Sequence, residues 1–445
     1  RIAYSLKDRY LLTATYRADG TSKFQGANKW GYFPSAALAW RLSEESFLKN
    51  NDFISNLKLR ASWGQTGNQG IDAYATVSRI AAISTNFGTT ALFPGSSISG
   101  ADNPYLKWET TTQTNIGLDL SILNGKLNIT LDYFDKLTTD LLHSVQIPAY
   151  AGGGTANRNI GEMSNKGIEA VIQATPLVTN DFRWDLSFNI SSYKNKLLSL
   201  GLDSIIGGSS AAGSLTDGSP FIIQVGEPLG AFYGYEWEGI YTSKEADQAA
   251  IYKFMPGDNK YLDFNGDSII NGDDKHIIGY AAPKFIWALN NDLSFKNFEL
   301  NIFIQGVHGR KVLNSTYASA ATLLPDATSI THVDGKDFWT VNNEDATFAN
   351  PFSSTTKKFL NSTQFLENAS YIKVRNIALA YNIDKQVLKY FGLKLTLSAQ
   401  NALTLTNYKG YDPEVSTTGG DLDGAMDIGA YPIARTISFG LTATF

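Results

Sequence analysis

"RTISFGLTATF", residues 435–445, changes character at every step: Ile437, Phe439, Leu441, Ala443 and Phe445 fall on one side of an extended chain. Thr436, Ser438, Gly440, Thr442 and Thr444 fall on the other. A strand divided this way has one oily face and one small, polar face. The same period of two runs through GKLNITLDYF (125–134), FRWDLSFNIS (182–191), NFELNIFIQ (297–305) and GLKLTLSAQN (392–401). At roughly ten residues these strands exceed the usual five or six. YIKVRNIALAY (371–381) changes parity midway, with Ile372 and Val374 in one phase and Ile377, Leu379 and Tyr381 in the other. A β-bulge near Arg375 and Asn376 restores a common face.

After an opening stub at Arg1 to Leu6, the pattern predicts strands at about 8–18, 31–42, 56–66, 108–121, 125–136, 166–176, 181–194, 283–296, 297–307, 369–382, 391–402 and 433–445. From residue 56 onward, short links (LNGK, PLVTN, FKNF, NIDKQVLKY) alternate with long ones (67–107, 137–165, 195–282, 308–368, 403–432). One end of the sheet therefore carries tight turns and the other large loops. Long alternating strands, asymmetric links and abundant aromatics predict an all-β fold, a transmembrane antiparallel β-barrel with long extracellular loops. In a bilayer the oily face meets lipid and the polar face a lumen, and barrel closure satisfies the backbone. A soluble β-sandwich or repeat protein also alternates, but with shorter strands. Phe445, closing a five-position apolar alternation, has the character of a barrel-assembly signal.

Composition narrows the classes. The 445 residues are 43% hydrophobic and 12% aromatic, too apolar for disorder. A net charge of −5 with dispersed Lys and Arg gives no basic stripe, so no nucleic-acid partner is expected. There is no cysteine, which excludes disulfides and thiolate metal sites and suits an exported protein. No apolar run reaches the roughly 18–20 residues of a membrane helix, and the chain opens without Met or a signal sequence, suggesting a truncated or processed start.

Eight blocks carry a family resemblance: RYLLTATYRADGTSKF, GYFPSAALAWRLSEESFL, LKLRASWGQTGNQGI, LKWETTTQTNIGLDL, NKGIEAVI, YIKVRNIALAYN, SAQNALTLTNYKGYDPEV and YPIARTISFGLTATF. In this order they resemble the C-terminal half of SusC/RagA-type TonB-dependent transporters. The resemblance implies that residues 1–445 are one piece of a 22-stranded barrel, about its last twelve strands, in the outer membrane of a Bacteroidetes-type bacterium. It also implies a plug domain, a signal peptide and a TonB-contacting segment that this chain does not contain, and a SusD-like lipoprotein as partner. The expected activity is TonB-dependent import of oligosaccharides or peptides, without covalent catalysis. The alternatives are a siderophore or cobalamin-type receptor and a calcium-binding surface adhesin or glycan-binding β-protein.

Two sets of side chains are candidates for function. In DFNGDSIINGDD (263–274), Asp263, Asn265, Asp267, Ile269 through its carbonyl, Asn271 and Asp274 occupy positions 1, 3, 5, 7, 9 and 12 of an EF-hand-like loop. They supply the oxygens calcium prefers, with an expected affinity of about 0.1–1 mM and a structural role. Ser268 replaces the usual glycine at position 6, Asp replaces Glu at position 12, and the flanks cannot form the two EF-hand helices. An Asx-rich loop bonded to its own backbone has the same composition. Counting strands from a final strand that runs to the periplasm puts this loop outside the cell. The second set is Trp237, Phe338, Trp339, Tyr408 and Tyr411, long-loop aromatics suited to stacking on substrate or to contact with the lipoprotein lid. His143, His276, His308 and His332 lack ligand spacing, so no transition-metal site is expected.

Overall fold

The period-two segments become antiparallel ladders joined in chain order. A computed structural model describes the protein except residues 50, 87, 89–91, 149, 151–153, 202–203, 207–217, 322–336, 351–360, 384–389 and 417–424. The chain divides into two compact units, 1–174 with 191–203 and 175–190 with 204–445.

In the first unit, β1 (Ile2–Leu6), β2 (Tyr10–Gly20), β3 (Trp30–Arg41), β4 (Ile54–Asn68), β5 (Glu109–Ile122), β6 (Leu127–Thr139) and β7 (Glu162–Val178) pair successively. The end of β7, from Thr175 on, belongs to the second unit, and the residues of β8 (Phe182–Ser199) are divided between the units. In the second unit, β9 (Phe285–Phe295), β10 (Phe298–His308), β11 (Tyr371–Ile383), β12 (Gly392–Thr406) and β13 (Thr436–Thr444) continue the same up-and-down order. Every predicted strand is present, as is the opening stub. Several outrun their predicted ends, β4, β7 and β8 most clearly, because backbone pairing persists where hydrophobic alternation stops. The last strand starts later, at Thr436 and not at 433.

Register turns the alternation into continuous apolar rows. Across the first unit one row runs Tyr4, Leu12, Leu38, Ala61, Ile116, Tyr133, Ile168, and the next Leu6, Tyr10, Trp40, Leu59, Leu118, Leu131, Ala170. A third row joins Leu57, Leu120, Ile129 and Ile172. The large side chains in these rows are exposed or half-exposed. At about 4.8 Å between strands and 3.4 Å per residue, the patch covers roughly 600 Å², the upper end for a soluble monomer. The second unit repeats the device with Phe295, Phe298, Tyr381, Leu395, Leu441 and with Leu293, Leu300, Leu379, Leu397, Phe439. The bulge falls where the parity change predicted it: β11 shifts register between Val374 and Asn376, leaving Arg375 unpaired in the ladder.

Long connections have structure of their own. In the first unit, Arg79–Thr85, Phe93–Gly100, Thr155–Asn159 and Leu142–Gln146 make a four-stranded sheet from two separate loops. In the second, segments from three loops share a core of Phe221, Phe232, Val312, Leu313, Phe365 and Met426, among others. Lys311–Asn314 is central there, pairing antiparallel with Leu366–Asn368 and parallel with Met426–Asp427. The helix α1 (Ala246–Ile251) packs Ala249 into a separate cluster with Tyr235 and Tyr241, and α2 (Ser315–Ala321) directly follows Lys311–Asn314; both helices are short. No described helix is long and apolar enough to cross a membrane.

Candidate functional site

On the polar side of the first unit the strands carry small and amide side chains around one ionic fork. Arg60 on β4 reaches Asp119 on β5 at 2.9–3.0 Å and, passing over Gly117, Asp132 on β6 at 2.9–3.0 Å. A Cβ on Gly117 would lie 2.4 Å from the Asp132 carboxylate and 2.6 Å from the guanidinium, so only glycine leaves the passage open. A hollow of about 420 Å³ on this unit is lined by Thr13, Thr15, Arg17, Ser35, Gln65 and Asn115 and also by Phe33, Ala36, Ala37 and Trp63, among others. Its hydroxyls, amides and guanidinium lie beside the Phe33 and Trp63 rings, so the hollow offers both hydrogen-bonding groups and apolar ring surface.

The second unit holds the Asp263 to Asp274 loop. Asp263 accepts the amides of Gly266, Asp267 and Ser268 at 2.7–3.2 Å. Asn265 and Asp267 accept the amides two residues ahead of each, at 3.0 and 2.8 Å. Asn271 accepts from Asp273, closing a short turn. Asp274 is fully buried and accepts the amides of Phe264 at 2.9 Å and Asn271 at 2.8 Å, tying the loop's two ends together. Ser268 has φ +63°, the left-handed conformation that glycine ordinarily supplies at position 6. Ile270 is fully buried among Tyr235, Tyr241, Phe254 and Tyr261, which fixes the loop to its neighbours. Among the described residues no three His, Asp or Glu side chains gather as a ready-made metal cluster. The cation-fitting features are the donor set and the position-6 backbone; the Ile269 side chain is exposed.

The aromatic candidates separate by burial. Trp237 donates its Nε1 hydrogen to Asn259 at 3.0 Å and packs beside the Tyr235 cluster. Phe338 sits against Phe348, with ring centroids 5.9 Å apart. Trp339 is buried over Gly257 (φ +93°), where a Cβ would lie 2.5 Å from the ring, and its Nε1 has no protein partner. Tyr408 is buried, its hydroxyl donating to Asp427 at 2.7 Å; burial pushes the phenol well above its ordinary range, with the Asp427 hydrogen bond adding to this. Tyr411 alone of the five stands largely exposed, at 75%. Phe445 follows the last ladder residue, exposed, its ring 5.8 Å from Phe391. Of the four histidines, His332 lies outside the described residues; His276 faces Glu236 at 3.4 Å.

A further constellation had no spacing signal. Lys373 on β11 is 2% exposed yet contacts Asp412 at 2.6 Å and Glu414 at 2.7 Å in the 403–432 loop. Glu414 also accepts from the Tyr371 hydroxyl at 2.5 Å and pairs with Arg375, the bulged residue. Burial works to raise the Glu414 carboxyl, but Lys373, Tyr371 and Arg375 outweigh it and hold it below the usual range. Arg310 donates to the carbonyls of Pro413 and Val415 at 3.1 and 2.7 Å. The segment 411–415 is thus strapped to the wall by three cations. The bulge places Arg375 within reach of the strap that Lys373 already holds.

Comparison with known proteins fits this architecture. The family described as TonB dependent receptor-like, beta-barrel, matches residues 2–402. The chain is 34% identical over 458 residues to TonB-dependent receptor P3 of Formosa agariphila, along 100% of its own length and 45% of that protein. It is 32% identical over 461 residues to TonB-dependent receptor SusC of Bacteroides thetaiotaomicron, along 100% of its own length and 43% of the relative. The chain spans less than half the length of these curated relatives. Among solved structures, the RagAB peptide transporter matches with a TM-score of 0.81 at 23% identity, over 100% of this chain and 47% of that one, a likeness of fold.

Proposed function

Because the chain belongs to the TonB dependent receptor-like β-barrel family and lies in an outer membrane of Bacteroidetes type, we propose that it is the barrel portion of a TonB-dependent nutrient importer. A receptor barrel of this family is not an enzyme. The observation that carries the proposal is the chain-long similarity to SusC, 32% identical, supported by the ion-paired polar side of the first unit's strands. The cargo is an oligosaccharide or a peptide, the partner a SusD-like lipoprotein, and the drive TonB, acting on a part of the protein outside these residues. The name of RagAB, a peptide transporter, supports the peptide half of this reading, and the name of SusC, a TonB-dependent receptor, supports the TonB drive.

Affinity purification of the full-length protein from outer membranes tests both partner and cargo. A co-purifying lipoprotein, and uptake of a labelled oligosaccharide or peptide that stops when TonB is deleted, are the expected results. Uptake indifferent to TonB would end the reading. Within the loops, Tyr411 is the aromatic proposed to meet cargo or lid, and Tyr411→Ala should weaken binding with the fold intact.

Calcium in the Asp263 loop is proposed as a structural clamp. Asp263, Asn265, Asp267, the Ile269 carbonyl, Asn271 and Asp274 would hold the ion. What supports it is the left-handed Ser268 backbone at position 6, together with lone pairs left on carboxylates that each have other acceptor sites. Calcium should protect the loop from protease with a midpoint of about 0.1–1 mM. Identical cleavage in chelator and in excess calcium would remove the clamp.

A further inference from the structure

The link from β3 to β4, residues 42–53, is longer than the other links at its end of the first unit, where β1 joins β2 through 7–9 and β5 joins β6 through 123–126. Its added length makes no ladder. The Leu42–Glu44 turn is followed by a second, in which the Glu45 carbonyl accepts the amides of Leu48 and Lys49. This folded link presents Phe47 at 70% exposure and Phe53 at 55%.

What holds the link is a carboxylate on the apolar face. Glu45 accepts the Tyr10 hydroxyl at 2.7 Å, the Trp40 indole at 3.1 Å and the Arg9 guanidinium at 3.1 Å. Tyr10 and Trp40 stack with centroids 6.2 Å apart and belong to the apolar row Leu6, Tyr10, Trp40, Leu59. The Phe53 carbonyl accepts from Leu123, itself 48% exposed in the neighbouring turn. Phe47 and Phe53 thus flank a link pinned to the face that lies on hydrocarbon. Lys7, Lys49 and Lys126 are exposed at the same end.

We infer that residues 42–49 and 51–53 form an interfacial hook, with the Phe47 and Phe53 rings seated in the phospholipid leaflet at the short-link end and Glu45 locking the hook to the barrel's aromatic rim. Lipid is the occupant because the patch continues the lipid-facing rows, and the flanking lysines suit headgroup phosphates. The inference rests on the membrane placement of the barrel and is independent of the cargo.

The test uses the full-length protein, free of other cysteines, reconstituted in phospholipid nanodiscs. Nitroxides are attached at Phe47→Cys, Phe53→Cys and Asn124→Cys, the last in an exposed turn at the same end. Collision with oxygen, which partitions into lipid, should exceed collision with a water-soluble nickel chelate at 47 and 53, with a ratio on the order of tenfold above that at 124. Ratios at 47 and 53 equal to that at 124 would overturn the hook. Shielding of 47 and 53 from both reagents would also overturn it, showing protein cover in place of lipid. Adding Glu45→Ala should cut the ratio at 47 severalfold while heat-modifiable migration shows the barrel intact. An unchanged ratio would remove Glu45 as the lock.

Discussion

The two units follow one strand grammar but treat their long loops in opposite ways. In the first, the loop residues Phe24, Ile71, Ala75, Leu106 and Trp108 pack a small cluster with Phe33 of β3, and the loop sheet leaves Ile80 and Ile98 exposed. Its ion pairs, such as Arg60 with Asp119 and Asp132, sit part-exposed on the barrel wall. In the second, loops that are far apart in sequence share one core, and Lys373, which fastens one of them, is buried while its acidic partners are mostly so. Strands held by ladders need little from their loops. A loop cluster that must keep a shape needs its own interior, and the second unit has built one.

Breaking the strap gives the largest expected effect. Lys373→Met strands Asp412 and leaves Glu414 with Arg375 and Tyr371 alone, and removing one partner of a buried pair costs about 3–5 kcal/mol. Protease should then cut within the 403–432 loop while the barrel keeps its heat-modifiable migration. The matching change in the first unit, Lys58→Met, removes a part-exposed partner of Asp119 at 2.7 Å and should cost about 1 kcal/mol or less. Equal effects at the two positions would erase the distinction between the units.

A core substitution probes the same contrast without charge. Met426 is fully buried between loop segments, and Met426→Ala should cost about 2–5 kcal/mol of loop-cluster stability, read by hydrogen exchange at 311–314. Ile80→Ala, at a residue 75% exposed in the first unit's loop sheet, should stay within about 0.5 kcal/mol.

Acid should separate the units as well. The Glu414 carboxyl is held below its ordinary value in the folded protein, so its contribution is complete above the unfolded carboxylate range. It is lost as pH falls through the lowered folded value. Acid titration should therefore loosen the 403–432 loop, and Glu414→Gln should flatten that part of the pH profile. A profile unchanged by the substitution would assign the acid sensitivity elsewhere.

How much of this could be seen in the sequence follows from the range of each interaction. The strands were legible because a one-residue slip would turn Leu12, Leu38 and Ile116 from lipid to lumen, so the pattern had to be written residue by residue. The bulge at Arg375 was legible for the same reason, as a break in parity. The strap was not, since Asp412 and Glu414 lie 39 and 41 residues from Lys373 and no local period links them. Nor was loop burial: Trp339 and Tyr411 look alike as lone aromatics in polar loops, yet one is 6% exposed and the other 75%. The Asp263 loop lay between these cases. Its donor spacing was local and visible, while the burial of Asp274 depends on packing that only the fold supplies.

The smallest expected effect concerns that loop and sharpens the contrast at the level of one backbone angle. Ser268 holds a left-handed φ of +63° that costs an L-residue about 1 kcal/mol, whereas glycine adopts it freely. Ser268→Gly relieves that strain, but glycine loses more backbone freedom on folding, so the net gain is about 0.5 kcal/mol or less. Ser268→Val, β-branched and unsuited to positive φ, should destabilise the loop by more than the glycine stabilises it. If calcium is seated there, its protease-protection midpoint should fall with Gly and rise with Val, because both substitutions act on the shape that gathers the oxygens and leave every donor in place. Midpoints that ignore both changes would mean that the backbone at position 6 does not organise the donor set.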